Sequence, residues 1–145
     1  MDRKDFIKIC CFATVGVSST AVLSSCGALY YAKSERRGSR LIVSRSEFVE
    51  VRGKKRLDRS FVLLAVDGVR DPICVYQLEE NRYQASLLKC THRGCTLNVG
   101  GGIYSCPCHG SEFSVSGEVL NGPADRSLKV FQTEVDDENI YVTLS

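Results

Sequence analysis

Two short runs in the C-terminal half of the chain constrain it most: Cys90-Thr91-His92-Arg93-Gly94-Cys95 and Cys106-Pro107-Cys108-His109-Gly110-Ser111. They contain both histidines and half of the eight cysteines. A thiolate is a soft ligand, and imidazole is a neutral nitrogen ligand suited to iron, copper or zinc. Four cysteines and two histidines this close together read as a metal centre.

The spacing narrows the kind of centre. In an extended chain Cys90 and His92 sit roughly 6–7 Å apart at their backbones and point the same way. Folding both onto one tetrahedral metal is awkward, whereas giving each its own metal in a compact two-metal cluster is natural. Structural zinc sites favour cysteine pairs two to four residues apart, which these runs do not supply cleanly. Six potential ligands also exceed the four that either kind of site needs, so two cysteines are left over and available to pair with each other.

At every defined position the two runs resemble the Rieske iron–sulfur proteins of the disulfide-containing, high-potential type. The resemblance covers about residues 85 to 130, and more loosely the C-terminal domain. It implies one [2Fe–2S] cluster, with Cys90 and Cys106 on the inner iron and His92 and His109 on the outer iron. It also implies a disulfide between Cys95 and Cys108. Replacing two thiolates by neutral imidazoles lowers the negative charge of the oxidised centre and raises the potential to roughly −150 to +300 mV. An imidazole ligand with its second nitrogen in solvent can take up a proton as the iron is reduced.

The same resemblance assigns supporting positions. Gly94 and Gly110 let the loops adopt dihedrals that other residues avoid. Ser111 matches a serine whose hydroxyl bonds a bridging sulfide and raises the potential. Phe113 stands where quinol-oxidising members often carry tyrosine; lacking the hydroxyl, it implies a lower potential, and it also suits core packing. Gly122-Pro123-Ala124 resembles the proline loop that covers the cluster from a third side. Arg93 occupies the tip where quinol-oxidising members often have leucine. A guanidinium resists desolvation and prefers carboxylates or haem propionates, so Arg93 is read as a partner-docking residue.

The first 26 residues read as an export signal outside the fold. Asp2-Arg3-Lys4-Asp5-Phe6-Ile7-Lys8 is similar to a twin-arginine signal with lysine in the second arginine position, and Sec export is the alternative. Leu23-Ser24-Ser25-Cys26 resembles a lipobox, which makes Cys26 the lipidated start of the mature chain. An uncleaved anchor over residues 9–32 competes; a span needs about 20 residues, but this one is rich in serine, threonine and glycine. Either arrangement places the domain in an oxidising compartment, facing the periplasm or cell exterior, where a disulfide persists. Cys10 and Cys11 leave with a cleaved signal, and Cys74, in an apolar run, reads as a buried core thiol.

What remains is about 120 residues, enough for one modest core. Residues 27–40 read as a basic tether and 41–145 as the domain, its cluster-binding part at about 88–124. No helical periodicity appears beyond residue 40. Short β-branched and aromatic runs at 41–51, 61–66, 73–79, 83–89, 103–105, 112–115, 130–135 and 140–144 read as strands. They predict an all-β fold, an antiparallel β sandwich or barrel, with a small cluster-binding subdomain inserted as in the family it resembles. Lys54, Lys55, Arg56 and Arg59 read as a hairpin loop.

A net charge of +2 gives no argument for nucleic acid. With only two histidines there is no mononuclear-iron set, which excludes a complete Rieske oxygenase. The expected function is a membrane-tethered one-electron carrier, a component of an oxidoreductase system and not a catalyst by itself. The alternative is the Rieske subunit of a quinol–cytochrome c reductase or of an arsenite-oxidase-like complex. Its redox partner is expected to be a cytochrome, a quinol-oxidising subunit or a molybdenum subunit.

Overall fold

The computed structural model describes residues 29–145, so the segment read as an export signal and Cys26 lie outside the described residues. In chain order the strands are β1 (Ser34–Arg37), β2 (Arg40–Ser44), β3 (Val49–Arg52), β4 (Lys55–Asp58), β5 (Phe61–Leu64), β6 (Ile73–Glu79) and β7 (Arg82–Leu87). Then come β8 (Asn98–Gly100), β9 (Ile103–Ser105), β10 (Glu112–Ser114), β11 (Val119–Asn121), β12 (Val130–Val135) and β13 (Asn139–Thr143). The fold is all-β and its strand pairs are antiparallel. A seven-stranded sheet runs β1-β2-β13-β12-β7-β6-β5, a four-stranded sheet runs β11-β10-β9-β8, and β3 pairs with β4 alone.

The large sheet is built on alternation. Leu41 and Val43 of β2 face the first core, opposite Val142 and Ile140 of β13. Such same-face cross-strand pairs stabilise a sheet by a few tenths to about 1 kcal/mol each. Strands β5 and β6 are buried on both faces. Val62, Leu64, Ile73 and Val75 point into the first core, while Leu63 and Cys74 point into a second one. Leu63, Cys74 and Ser86 are neighbours across β5, β6 and β7, and so form a row on that second face.

Against this row packs the small sheet. Tyr104 of β9 and Phe113 of β10 are fully buried beside Leu88, Leu97 and Leu128. Burying side chains of this size contributes roughly 1.5–3 kcal/mol each. The small sheet is therefore docked on the large sheet through a shared apolar core. The Tyr104 hydroxyl and Ser86 Oγ are fully buried in that joint, beside the Cys74 thiol. Burial raises the Tyr104 hydroxyl and pushes the Cys74 thiol up to about 12, and Cys74 is a fully buried core thiol.

Four sequence expectations need correction. Residues 41–51 do not form one strand: the Ser44 hydroxyl accepts from Ser46 N at 3.2 Å, and a 3-10 turn over Arg45–Phe48 swings Phe48 into the core. The basic stretch at 54–59 is not simply a loop, because Lys55–Asp58 is β4. Its charges are tolerated because both faces are in water, and Arg59 pairs with Glu50 at 3.2 Å. Residues 29–40 do not form a tether. Ser34–Arg37 is an edge strand, Ala32 is buried, and Ala32 N donates to Leu63 O at 2.8 Å. The strands β8 and β11, three residues each, carry no alternation long enough to read.

Candidate metal centre

Strand β7 leads into the first cysteine–histidine loop, and the β9–β10 pair carries the second. Each loop is closed by backbone bonds at its base. Cys90 N donates to Cys95 O at 2.8 Å, and Cys106 N donates to Ser111 O at 2.8 Å. Inside each ring a glycine N–H turns back: Gly94 N to Cys90 O at 2.8 Å, and Gly110 N to Cys106 O at 3.0 Å. Those turns need φ values of +76° at Gly94 and +79° at Gly110, a region open to glycine and costly for residues with a Cβ. The β8–β9 hairpin brings the two loops face to face.

Cys95 and Cys108 are joined by a disulfide, with S–S 2.01 Å and Cα atoms 6.5 Å apart. Cys90 and Cys106 remain free and are buried, 2 % and 4 % exposed. The His92 and His109 rings meet edge to face with centroids 5.0 Å apart; His92 is half-buried and His109 exposed. The sulfurs of Cys95, Cys106 and Cys108 lie within 4.8 Å of one another. Two of those are already bonded covalently, so only Cys106 among them can supply a thiolate.

Two observations test whether these residues fit a metal cluster. His92 Nδ1 is buried with no hydrogen-bond partner, although buried polar atoms are normally satisfied; a metal would satisfy it. Cys106 is already biased toward thiolate. Burial alone raises its thiol, but the Cys108 backbone N–H, the Cys90 side chain and the His109 backbone N–H outweigh that and hold it below the usual thiol range. Free thiols at the buried side, imidazoles at the open side and a disulfide bracing the loops suit a two-metal sulfur cluster.

The neighbouring segments complete the enclosure. Ser111 is fully buried, and its Oγ accepts from Ala124 N at 2.9 Å. This ties the Gly122-Pro123-Ala124 turn to the second loop and leaves the serine proton available to donate. Phe113 packs in the second core. Arg93 is exposed at the loop tip.

Sequence reasoning missed two further braces. Thr91 Oγ1 donates to Arg126 O at 2.6 Å while Arg126 returns a bond to Thr91 O at 3.3 Å. Buried Asp71 accepts from Thr96 and pairs with Arg70 at 3.2 Å; Arg70 also bonds Gly94 O. Both join residues 25 to 35 positions apart, and no local pattern announces them. Among the described residues no helix is long and apolar enough to cross a membrane.

The Rieske [2Fe-2S] domain family matches residues 47–132. A cytochrome b6-f complex iron-sulfur subunit of Synechococcus sp. (strain JA-2-3B'a(2-13)) is 47 % identical over 53 residues, 35 % of this chain and 31 % of that protein. Cytochrome b6-f complex iron-sulfur subunit 2 of Nostoc sp. (strain PCC 7120) is 34 % identical over 86 residues, 58 % of this chain and 42 % of that protein. The matches thus span less than half the length of these relatives. Among solved structures, the plasma membrane Rieske protein PetC3 from Synechocystis PCC 6803 aligns with a TM-score of 0.51 at 34 % identity. That alignment covers 58 % of this chain and 86 % of that one.

Proposed function

The chain belongs to the Rieske [2Fe–2S] family, and on that premise we propose that Cys90, His92, Cys106 and His109 hold its single cluster in a membrane-tethered one-electron carrier. The observation that carries this reading is the paired loops, with two free buried thiols on one side and two imidazoles 5.0 Å apart on the other. When bound, the cluster takes up and releases one electron at a time.

The residues divide the remaining work. Cys90 and Cys106 place negative charge at the buried side, and His92 and His109 face the surface where a partner arrives. The Ser111 hydroxyl donates toward the cluster, the Cys95–Cys108 bond keeps the loops closed over it, and Phe113 fills the core behind. The disulfide supports an oxidising compartment, periplasmic or exterior, and Leu23-Ser24-Ser25-Cys26 supports a lipid on Cys26 after export. The domain proper runs over residues 41–145 together with the edge strand before it.

A second reading, the Rieske subunit of a quinol–cytochrome complex, is favoured by the relatives named as cytochrome b6-f subunits. Full-length protein extracted from its own membranes with mild detergent separates the two. The carrier reading predicts a chain that begins at lipidated Cys26, contains iron and sulfide, and comes away free of haem. Stoichiometric co-purification of a cytochrome would establish the subunit reading. Recovery of an unlipidated chain from the soluble fraction would sink the lipid tether.

A further inference from the structure

The chain is nearly neutral overall, with 19 basic and 17 acidic residues, but its charge is not evenly spread. Beside His92 lie two adjoining surface depressions of about 500 and about 490 Å³ that share Leu87, Lys89, Arg93 and Gly94. Arg70 walls one side, and Arg126 and Lys129 the other. Of the charged side chains lining them, five are cationic and one, Asp71, is anionic. Asp71 is buried and already engaged by Arg70 and Thr96, so it offers nothing to a ligand. Arg126, which also donates to Thr91 O, has a loose exposed ion pair with Asp125 at 3.8 Å. Among the described residues no carboxylate lies within ion-pair distance of Lys89, Arg93 or Lys129, and all three are exposed. The depressions over the β3–β4 side differ: Arg45, Arg56, Asp58 and Glu80 in one, Glu50, Arg52, Asp58 and Arg59 in the other, mix both signs.

We propose that the groove of Lys89, Arg93, Arg126 and Lys129 is the docking surface for an acidic face of the redox partner protein, which brings the partner's cofactor to the His92 edge. This rests on the cluster assignment above and names the partner's chemistry. Lysine and arginine held apart on an open rim steer a carboxylate-rich surface into register and raise its encounter rate, which salt then screens. Arginine resists desolvation and holds carboxylates in a fork, so Arg93 at the tip disfavours an apolar pocket. The position of the cations favours a protein face over a lipid surface, because they line one depression together with His92, one of the two imidazoles that face an arriving partner.

Stopped-flow oxidation of the reduced full-length holoprotein by two cytochromes c, one acidic and one basic, tests this at about 10 mM and about 300 mM salt. The acidic cytochrome is expected to react at least about tenfold faster at low salt. The Lys89→Glu/Arg93→Glu/Lys129→Glu variant should lose that advantage with its iron–sulfur spectrum unchanged. The milder Lys89→Gln/Arg93→Gln/Lys129→Gln variant should fall between the two. Equal rates for wild type and both variants with the acidic cytochrome would overturn the proposal. So would loss of binding to phosphatidylglycerol vesicles with no change in those rates, which would make the groove a lipid site. Calorimetric titration with the acidic cytochrome reads the surface without needing the cluster. Salt-sensitive binding by a chain lacking a two-iron spectrum would uphold the groove and sink the redox reading instead.

Discussion

The loops 90–95 and 106–111 share one backbone and carry different side chains. Each opens on a buried free cysteine, turns on a glycine four residues later, and closes when that cysteine's N–H bonds the carbonyl five residues on. At the third position the first loop has His92 and the second has Cys108; at the fourth they have Arg93 and His109; at the sixth, Cys95 and Ser111. The frame thus depends on cysteine and glycine, while the other positions are assigned separately in each loop. One loop supplies its last residue to the disulfide and the other supplies a buried hydroxyl. The difference teaches that the two halves of the site are equal mechanically and unequal electrostatically.

Variants can break that symmetry in order of severity. His92→Ala and Cys106→Ser, one from each loop, should each abolish the cluster; iron and acid-labile sulfide analysis should find neither in either protein. Retention of full iron in one variant would show that the loops do not share the load. Next, Cys95→Ser/Cys108→Ser removes a bond spanning 13 residues. It should lower unfolding stability by on the order of 3 kcal/mol in the chain-entropy description, read by denaturant titration under non-reducing conditions.

Smaller changes sharpen the comparison. Gly94→Ala and Gly110→Ala force alanine to a positive φ, which costs roughly 1–2 kcal/mol. A Cβ at Gly94 meets Lys89 Cε at 3.2 Å while one at Gly110 meets open space. Because a lysine tip moves aside easily, the two variants should lose nearly equal stability in thermal melts. Ser111→Ala should keep the cluster and lower its midpoint potential, with about 1 kcal/mol lost with the hydrogen bond from Ala124 N. A redox titration that gives the wild-type potential would remove Ser111 from the electrostatic account.

The site was far more legible in the sequence than the fold's periphery. Ligand-type residues sit within six positions of each other in two runs, so their chemistry is local. The Cys95–Cys108 pairing followed from family resemblance, since spacing alone left the partners open. Strands with an apolar face, such as Ile73–Glu79, were found with the bounds they have. Ser34–Arg37 and Lys55–Asp58 were missed because their side chains are exposed throughout and carry no periodic signal. Ala32 is held by a bond to Leu63, and the Thr91–Arg126 clasp by topology; a single sequence states neither. Cys74 read correctly as a core position because its apolar neighbours Ile73 and Val75 are adjacent in the chain, whereas Phe113, flanked by Glu112 and Ser114, owes its burial to residues distant in sequence.

The central claim is that two imidazoles and two thiolates hold one two-iron cluster. An EPR-monitored redox titration of the full-length protein tests it most directly. The account predicts a single one-electron rhombic signal on reduction, with a midpoint between about −150 and +300 mV. A midpoint near about −400 mV, the range of plant-type ferredoxins ligated by cysteine alone, or a silent spectrum from protein containing zinc, would contradict it.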